Sequence, residues 1–597
     1  MSACDLLLHG GHWIDVERGR VVRGDVAIRG DRIVAVGGEG GGGILPAPRD
    51  AARVLDVRGR FVAPGFIDAH LHIESSLLSP REVARRAVEH GTTACFVDPH
   101  EIANVQGRAG IALVLEHAER APLHLFVGIP SCVPATTLED SGATIGLADI
   151  DALLEHPRVY GLAEMMNFPG IVQGRGEARA KVERALARGK LADAHAPGLR
   201  GAALRTYVTN GHEDGVARIT LEHECTTAAE ALEKLALGMH VALRHGSASK
   251  DLPRVLPGLL AARPGLEDVM LCSDDLDPAE LDADGHMERI VRAARAVLQE
   301  AGADFERATV RAIALATLHA ARHFAPFYAL TGRPLPGALA PGRAADVVVL
   351  RSLEALDAET VLHAGRVVVE QGRCTVNGNG DGGPAAPAGG PPAPLAVARR
   401  YGPADFAIPA PGGCDTAEAR VIGLAPGIWT ETRMHTLPVR AGSLALDAHT
   451  AKLTVVERHH RTGTHAVGLV ERRLRAGAIA STVAHDSHNI IAMGVDDAAL
   501  ARAVNYLADH GGGMVVVGRD VTYLPLEIGG LMSAAPLEAV VAGYGRLSAA
   551  LRAIGGDPDL FVRMSFLALP VIPQLRLTNR GLVDVERFAF VPVCCAG

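Results

Sequence analysis

From Phe61 onwards, short apolar runs alternate with amphipathic stretches of helical length. This alternation is typical of βα units, in which helices flank a parallel sheet. The apolar runs predict eight strands, at residues 66–70, 94–98, 124–128, 160–164, 191–195, 218–223, 240–244 and 269–274. Helices are predicted between and after them, for example at 81–89, 178–188, 228–237 and 287–299. Eight evenly spaced repeats favour a closed (β/α)8 barrel over an open doubly wound sheet.

Shorter strands with glycine turns precede the barrel and return after it. They are predicted at 5–9, 26–29, 32–36 and 53–56, and again at 340–350 and 361–370. We expect residues 1–62 plus 325–376 to form one small composite β-sandwich domain beside a barrel at 63–324. Residues 377–397, rich in Gly, Pro and Ala, predict a flexible linker. Mixed helix and strand signals predict a separate α+β domain over 398–597.

Composition favours an enzyme that acts on small molecules. Net charge is -9, with 59 basic and 68 acidic side chains and no basic run, which argues against a nucleic-acid partner. The nine Cys include no C-x-x-C pair, so neither a zinc ribbon nor a disulfide framework is indicated. No apolar run is long enough to cross a bilayer, and no signal segment is evident, so we expect a cytoplasmic protein without membrane contact.

The first barrel strand ends in His70-Leu71-His72. Side chains two residues apart on a strand point the same way, so both imidazoles can reach one metal ion at the barrel mouth. An isolated His-x-His pattern is weak. However, acidic residues or His also end four other predicted strands: Glu164, Asp193 with His195, His223 with Glu224, and Asp274 with Asp275. Their recurrence at one end of the barrel predicts a metal centre.

Four imidazoles and two carboxylates exceed the needs of a single ion that keeps open positions, so two divalent ions are predicted. The six ligands would be His70, His72, Glu164, His195, His223 and Asp274. Some binuclear barrels bridge their ions with a carboxylated lysine, but none of the five Lys ends the fourth strand, which leaves Glu164 as the bridge. A site without thiolate suits Mn, Fe or Zn, and the donor set alone does not choose among them. We expect Mn or Fe ahead of Zn. Asp274 is the candidate proton shuttle.

Several strings resemble those of bacterial adenine deaminases of the amidohydrolase superfamily. They are PGFIDAHLHIESS, DPHEIAN, SCVPAT, GLAEMMNFPG, DAHAPGL, AHDSHNI and GLMS, and they span most of the chain. The resemblance implies a binuclear barrel hydrolase that converts adenine and water to hypoxanthine and ammonia, with a self-associating chain. His70 and His72 would bind one metal, His195 and His223 the other, and Glu164 would bridge them. A hydroxide between the metals would add to C6 while Asp274 carries the proton.

The chain departs from the family pattern at three places. It has His245 where family members carry Glu in R-E-G-S, Leu276 where they carry Arg, and Glu222 where S-D-H-E has Asp. These positions follow strands six to eight, where loops shape specificity. An N6-substituted adenine, another purine-like ring, or a different C–N bond such as a cyclic amide are therefore alternative substrates. The alternative that is not an enzyme is a non-catalytic binding protein with the same barrel fold.

Further candidates for substrate contact or support of the metal ligands accompany these residues. They are Glu74, His100, Glu101, Asp193, Glu224, His245 and Asp275. Glu74 completes an H-x-E pattern, but the P-C-x-x-C half of the zinc nucleobase deaminases is absent, which excludes that chemistry. In the carboxyl-terminal domain, His485, Asp486 and His488 have the spacing of a further site or of a hydrogen-bonded turn.

Overall fold

The chain begins with seven short strands whose apolar side chains pack into one cluster. This computed structural model describes residues 4–376 and 394–595. Its first strands are β1 (Cys4–His9), β2 (His12–Asp15), β3 (Arg20–Arg23), β4 (Val26–Arg29), β5 (Arg32–Val36), β6 (Ala51–Asp56) and β7 (Phe61–Pro64). Four of them form a sheet in the order β5-β4-β1-β6. Alternation of apolar and polar residues buries one face of these strands around Trp13.

Nine strand segments then form the barrel. They are β8 (Phe66–His72), β9 (Thr92–Val97), β10 (His124–Ile129), β11 (Val159–Met165), β12 (Leu191–Ala194), β13 (Leu221–Glu222), β14 (His240–Arg244), β15 (Val269–Cys272) and β16 (Asp274–Asp275). Each pairs in parallel with its neighbour, from β8 round to β15. The segments β15 and β16 are one strand interrupted at Ser273, and β16 pairs with β8. The pairing therefore closes, and the predicted (β/α)8 barrel is confirmed.

Helices flank these strands and continue after the last of them. They are α1 (Pro80–Glu89), α2 (His100–Gln106), α3 (Arg108–Arg120), α4 (Leu147–Leu154), α5 (Phe168–Gln173), α6 (Ala178–Leu186), α7 (Gly201–Val208), α8 (Ala228–Ala236), α9 (Leu252–Ala262), α10 (Pro278–Asp284), α11 (Met287–Glu300), α12 (Phe305–Leu315), α13 (Leu318–His323) and α14 (Ala325–Thr331). Side chains of Ser79, Thr227 and Asp277 cap α1, α8 and α10 by accepting backbone N–H groups.

Aromatic side chains fill the amino-terminal end of the barrel. Phe96, Phe126 and Tyr160 point inward from β9, β10 and β11, and Phe324 between α13 and α14 stacks on Phe96 with ring centroids 3.3 Å apart. All four side chains are fully buried. Because apolar rings fill the barrel interior at this end, a cavity that admits a substrate into the barrel is expected at the opposite, carboxyl-terminal end.

Within the barrel, the sixth predicted strand is shortened and the eighth is interrupted. Outside it, the run predicted at 340–350 forms a strand only at Val347–Leu350, and the run at 361–370 is divided between two strands. In the sixth, residues 218–223 were predicted, but only β13 pairs as a strand. The N–H groups of Arg218 and Ile219 instead donate to Val208 O at the end of α7, at 2.8 and 3.1 Å. The eighth breaks because the buried Asp68 carboxylate accepts both the N–H of Ser273, at 3.0 Å, and its hydroxyl, at 2.5 Å.

After the barrel the chain returns to the strands where it began. The segments β17 (Val347–Leu350), β18 (Ala358–His363), β19 (Arg366–Glu370) and β20 (Arg373–Cys374) join a seven-stranded sheet in the order β20-β19-β18-β17-β7-β2-β3. β17 pairs antiparallel with β7. One sheet thus combines residues from both sides of the barrel. We call it the composite sheet.

The carboxyl-terminal domain covers the barrel mouth. Its elements are β21 (Thr416–Leu424), β22 (Thr430–Arg440), β23 (Ser443–Leu444), β24 (Thr450–Val456), β25 (His465–Glu471), β26 (Ala478–Ser481), β27 (Ile490–Gly494), α15 (Asp497–Asp509), β28 (Gly513–Val517), β29 (Val521–Pro525), α16 (Leu537–Ala553), α17 (Leu560–Ser565), β30 (Leu575–Thr578), β31 (Gly581–Asp584) and β32 (Ala589–Phe590). Nine of its strands form one sheet and three another. Of the predicted linker, residues 377–393 lie outside the described residues.

Hydrogen bonds join this domain to the barrel directly. The N–H of Ser533 donates to Leu77 O at 2.7 Å, the N–H of Ser79 donates back to Ser533 O at 3.0 Å, and the Thr578 hydroxyl donates to Leu138 O at 2.8 Å. Leu77 and Ser79 follow the first barrel strand, so these contacts hold the domain over its carboxyl end. Within residues 4–376 and 394–595, no helix combines the length and apolarity needed to cross a membrane.

Candidate metal centre

A buried carboxylate, Glu164 in β11, lies among four imidazoles at the carboxyl ends of the strands. Its Oε1 is 3.0 Å from both His70 Nε2 and His72 Nε2 and 3.3 Å from His223 Nε2. Its Oε2 is 2.8 Å from His195 Nδ1. Glu164 is only 3% exposed. The structure therefore brings together five of the six ligands that the sequence predicts.

The nitrogen and oxygen atoms of this cluster are arranged around shared points, and hydrogen bonds pair only some of them. His70 Nε2 and His72 Nε2 lie 3.1 Å apart, and both contact the same Glu164 oxygen. His195 Nδ1 and His223 Nε2 are buried without a hydrogen-bond partner among the described residues, although Glu164 is close to both. Separations near 3 Å between donors are those expected around an ion with bonds of about 2.0–2.2 Å. These residues therefore fit divalent metal ions.

Charge neutralisation in this cluster also favours the anionic carboxylate. Burial alone would raise the pKa of Glu164, but the neighbouring His195 and His223 hold it well below its ordinary value. Burial lowers the pKa of His70 to about 4, so its imidazole is neutral and can act as a ligand. Metal binding requires neutral imidazoles beside an ionised carboxylate. Burial would lower the pKa of His223, but the charge of Glu164 raises it to about 9, so a metal ion must displace a proton from that imidazole.

Asp274 faces the same cluster from the interrupted eighth strand. Its Oδ1 lies 3.4 Å from His72 Nε2 and 3.9 Å from His70 Nε2. Its backbone has φ 56°, a left-handed conformation that costs free energy for a residue with a side chain. The hydrogen bonds from Ser273 to Asp68 hold the chain in this conformation. They direct the Asp274 carboxylate into the mouth, where a regular strand would turn it away.

Arg244, at the end of β14, holds Asp274 from the other side. Its Nη1 donates to Asp274 Oδ2 at 3.2 Å and also to Glu224, while its Nε donates to Asp251 at 2.7 Å. Burial would raise the pKa of Asp274, but the hydrogen bond with His72 and the charge of Arg244 lower it. The sequence interpretation did not single out Arg244, although a charged residue ending a barrel strand is the same signal that identified Glu164.

The remaining acidic candidates occupy different surroundings. Glu224 and Asp275 line the cavity at the barrel mouth, where Asp275 accepts a hydrogen bond from the Ser75 hydroxyl. Asp193 lies inside the barrel and accepts the Tyr160 hydroxyl at 2.7 Å, and burial raises its pKa to about 7. Asp193 is not among the described residues that line this cavity. Its contact with Tyr160 therefore indicates a structural role inside the barrel.

Glu74, His100 and Glu101 lie beside the metal ligands. The His100 ring meets the His72 ring edge-on, with centroids 4.7 Å apart, and lines the cavity. Glu74 accepts the N–H of Ile102 at 3.0 Å through one oxygen, while burial raises its pKa to about 7. Its other oxygen is buried and has no hydrogen-bond partner among the described residues.

Two histidines of the carboxyl-terminal domain contact the Glu101 carboxylate. His485 Nδ1 contacts one of its oxygens and His488 Nε2 the other. Asp486 Oδ1 lies 3.9 Å from His100 Nε2. The His485, Asp486 and His488 group therefore reaches the barrel mouth, and both His485 and Asp486 line the cavity. Its contacts join the two domains next to the metal ligands.

The departures from the family pattern have separate structural consequences. Glu222 is fully buried, receives Lys234 Nζ at 2.9 Å, and accepts the backbone N–H groups of His223 and Glu224 at 3.1 and 2.8 Å. It thus positions a predicted metal ligand. His245 is absent from the described cavity lining, and the charges that act on its ring are those of Arg289, Lys250 and Glu280. Burial lowers its pKa to about 4.

Leu276 is buried at 5% exposure and belongs to the hydrophobic core. Neither His245 nor Leu276 lines the described cavity. Their positions in the structure therefore give no direct contact through which they would select a substrate.

A cavity of about 480 Å³ opens above the cluster. His72, Glu164, His195 and Asp274 form its floor. The carboxyl-terminal domain forms the opposite wall through Pro426, Gly427, Ile428, Trp429, Phe566, Leu569, Val571 and Ile572. The site is therefore polar on the barrel side and largely apolar on the other, which suits a flat heterocycle with one reacting carbon.

Comparison with known proteins agrees with this architecture. The model of the amidohydrolase family matches residues 61–369, and that of the adenine deaminase C-terminal domain matches residues 427–589. An adenine deaminase of Desulfatibacillum aliphaticivorans is 41% identical over 98% of this chain and 97% of its own length. One of Methanothrix thermoacetophila is 41% identical over 99% and 97%. The solved atrazine chlorohydrolase of Arthrobacter aurescens TC1 aligns with 62% of this chain and 97% of its own at 18% identity, with a TM-score of 0.44.

A buried imidazole and carboxylate cluster at the mouth of a (β/α)8 barrel defines a metal-dependent hydrolase. The chain belongs to the amidohydrolase family. Its relatives of matching length are adenine deaminases, so the resemblance predicted from the sequence strings is confirmed.

The Glu222–Lys234 pair makes a testable prediction about stability. Glu222→Gln should lower the free energy of unfolding by about 3 kcal/mol at neutral pH, because it leaves a buried ammonium with one carboxylate fewer. Glu233 lies beside Lys234 in α8 and pairs with Arg200 at the start of α7, at 2.9 Å on the surface. Glu233→Gln is therefore the matched control and should cost at most about 1 kcal/mol. Chemical unfolding of both variants measures the difference, and equal effects would contradict the role of Glu222.

The same pair gives that difference a defined pH dependence. Burial would raise the pKa of Glu222, but the charge of Lys234 lowers it from 4.5 to about 2. A carboxyl whose pKa is lowered in the folded state stabilises fully above its unfolded pKa. The gap between wild type and Glu222→Gln should therefore be constant above pH 4.5 and shrink as the pH falls towards 2. A gap that grows on acidification would contradict the assignment.

Proposed function

We propose that this chain is an aminohydrolase that converts adenine and water to hypoxanthine and ammonia in a metal-dependent reaction. The observation that carries the proposal is the Glu164 carboxylate among four imidazoles, with Asp274 3.4 Å from His72, at the floor of a cavity of about 480 Å³ that has room for a purine base. Relatives named adenine deaminase match nearly the whole chain, which favours adenine over an N6-substituted base or a cyclic amide.

Two divalent ions would occupy the centre, with manganese or iron favoured over zinc. His70 and His72 would hold one ion, and His195 and His223 the other. Glu164 would contact both, since its Oε1 faces His70 and His72 while its Oε2 faces His195; His223 of the second pair lies 3.3 Å from Oε1. When bound, the ions supply the nucleophile by lowering the pKa of water to near neutrality. Self-association of the chain stays a prediction from the family resemblance.

Proton transfer is the task of Asp274. The attacking water gives a proton to the Asp274 carboxylate as its oxygen bonds to C6 of adenine, and the electron pair of the C6=N1 π bond moves to N1. Asp274 then returns that proton to the exocyclic nitrogen, the pair on N1 re-forms the double bond, the bond from C6 to the exocyclic nitrogen breaks, and ammonia leaves. The 6-hydroxypurine that remains is a tautomer of hypoxanthine. Arg244 keeps the carboxylate anionic and aimed at the cluster through its 3.2 Å contact. A positioned acid or base of this kind contributes about 10²–10⁴-fold to the rate.

Ammonia release tests the substrate assignment. Ammonia is measured with adenine, guanine and cytosine, methylamine is measured with N6-methyladenine, and hydrolysis of a cyclic amide is followed by loss of the intact ring. Adenine should give ammonia with the highest kcat/KM. Turnover of the cyclic amide alone would contradict deamination while leaving a hydrolase, and no turnover by a metal-loaded enzyme would contradict both.

Substitution of Asp274 tests its role. Asp274→Asn should reduce kcat for adenine by about 10²–10⁴-fold, because an amide cannot accept the proton. Asp268→Asn is the matched control, since Asp268 precedes β15 at the opposite end of the barrel and pairs with Arg263 at 3.0 Å. It should retain wild-type kcat. Near-normal activity of Asp274→Asn would refute its function as shuttle.

Trp429 offers a direct report on where the base binds. Its ring lines the cavity and is 54% exposed, so it is free to stack on a heterocycle. Trp13, the second of the two Trp residues, is buried in the composite domain and should not respond. Hypoxanthine should therefore quench the fluorescence of the wild type but not of Trp429→Phe. Trp429→Ala should raise KM for adenine about 5- to 50-fold with a smaller change in kcat.

Equal quenching in wild type and Trp429→Phe would place the base away from this wall. Because deamination by the barrel residues does not require Trp429, that outcome would leave the reaction itself standing.

A further inference from the structure

A second cluster of metal-binding side chains lies at the plugged end of the barrel. His124 is the first residue of β10, Asp346 immediately precedes β17, and His363 is the last residue of β18. The three side chains thus come from one barrel strand and two strands of the composite sheet. Because His124 begins its strand, this group lies at the end of the barrel opposite Glu164.

Each carboxylate oxygen of Asp346 faces one imidazole. His363 Nδ1 is 3.1 Å from Oδ1, and His124 Nε2 is 3.3 Å from Oδ2. The two rings meet edge-on, with centroids 4.2 Å apart. Asp346 is 2% exposed, and both imidazoles are more than four-fifths buried. The donor atoms are close enough to ligate one ion.

Hydrogen bonds leave part of this group unsatisfied. Asp346 Oδ2 is buried without a hydrogen-bond partner among the described residues, although His124 Nε2 is near it. His223 Nε2 and Glu164 Oε1 show the same relation in the catalytic cluster, at the same 3.3 Å. A ring nitrogen and an oxygen that are close but not aimed at each other suit a common ion between them.

A further unpaired oxygen lies beside the cluster. The Tyr328 hydroxyl is buried and has no hydrogen-bond partner in the described part of the chain. It lies close enough to Asp346 to interact with its negative charge. Its ring packs edge-on against Phe126, with centroids 5.6 Å apart, and Phe126 in turn stacks on His124. A polar hydroxyl enclosed among apolar rings costs free energy unless something occupies the adjacent space.

We propose that His124, Asp346 and His363 bind a structural divalent metal ion, distinct from the catalytic centre. Two imidazoles and a carboxylate, without thiolate, supply three of the four ligands that zinc or a similar transition metal takes, which leaves one position for water. The ion would tie the start of β10 to β17 and β18, and so fix the barrel to the composite sheet. Deamination does not pass through this site.

Metal counting tests the site. The full-length enzyme is stripped with a chelator, reloaded with zinc and analysed by mass spectrometry, as wild type and as the double variant His124→Gln/His363→Gln. The wild type should bind one equivalent more than the double variant, while both retain adenine turnover. His9→Gln is the control, because His9 also contacts a carboxylate, Asp25 at 2.8 Å, but as a single imidazole. It should bind as much zinc as wild type.

Equal zinc content in wild type and the double variant would overturn the proposal. If the double variant does not fold, anomalous diffraction from zinc-loaded wild-type crystals decides without any substitution. A peak between His124 and His363 supports the site, and its absence from crystals that show zinc at Glu164 overturns it.

Discussion

The buried negative charge of Glu164 is the constraint on which this structure depends. A carboxylate that is 3% exposed is stable only when opposite charge or metal compensates for its lost hydration. The barrel meets that requirement by directing His70, His72, His195 and His223 at its two oxygens. Parallel strands make this possible, because their carboxyl ends converge at one rim. The apolar plug around Phe96 and Phe324 keeps the opposite end closed.

An interruption of the eighth strand and several buried ion pairs position side chains that a regular barrel would not bring to the site. Asp68 interrupts the eighth strand at Ser273, and the resulting left-handed backbone turns Asp274 towards the centre. Arg244 fixes the same carboxylate from the neighbouring strand. Glu222 holds the backbone of His223 and Glu224 while its own charge is balanced by Lys234. The positions of Asp274 and of the predicted ligand His223 therefore depend on two buried carboxylates, Asp68 and Glu222, that lie outside the group around Glu164.

The sequence was sufficient to predict the barrel and the group around Glu164, because strand periodicity and His or acidic residues at strand ends are local signals. It did not reveal the hydrogen bond from Arg244 to Asp274 or the contacts of His485 and His488 with Glu101, since these depend on packing between distant segments. His245 and Leu276 were expected to mark specificity because of the loops they occupy. Neither residue is part of the described cavity lining, because the position of a loop does not determine the direction of its side chains. Trp429 was missed because nothing in its local sequence indicates which domain it faces.

The central claim is that Glu164 lies between two metal ions. Anomalous diffraction from crystals of the manganese-loaded enzyme tests it most directly. Two peaks about 3.5–4 Å apart are expected, one beside His70 and His72 and one beside His195 and His223, with the Glu164 carboxylate between them. A single peak, or two peaks that do not share Glu164, would contradict this account of the site.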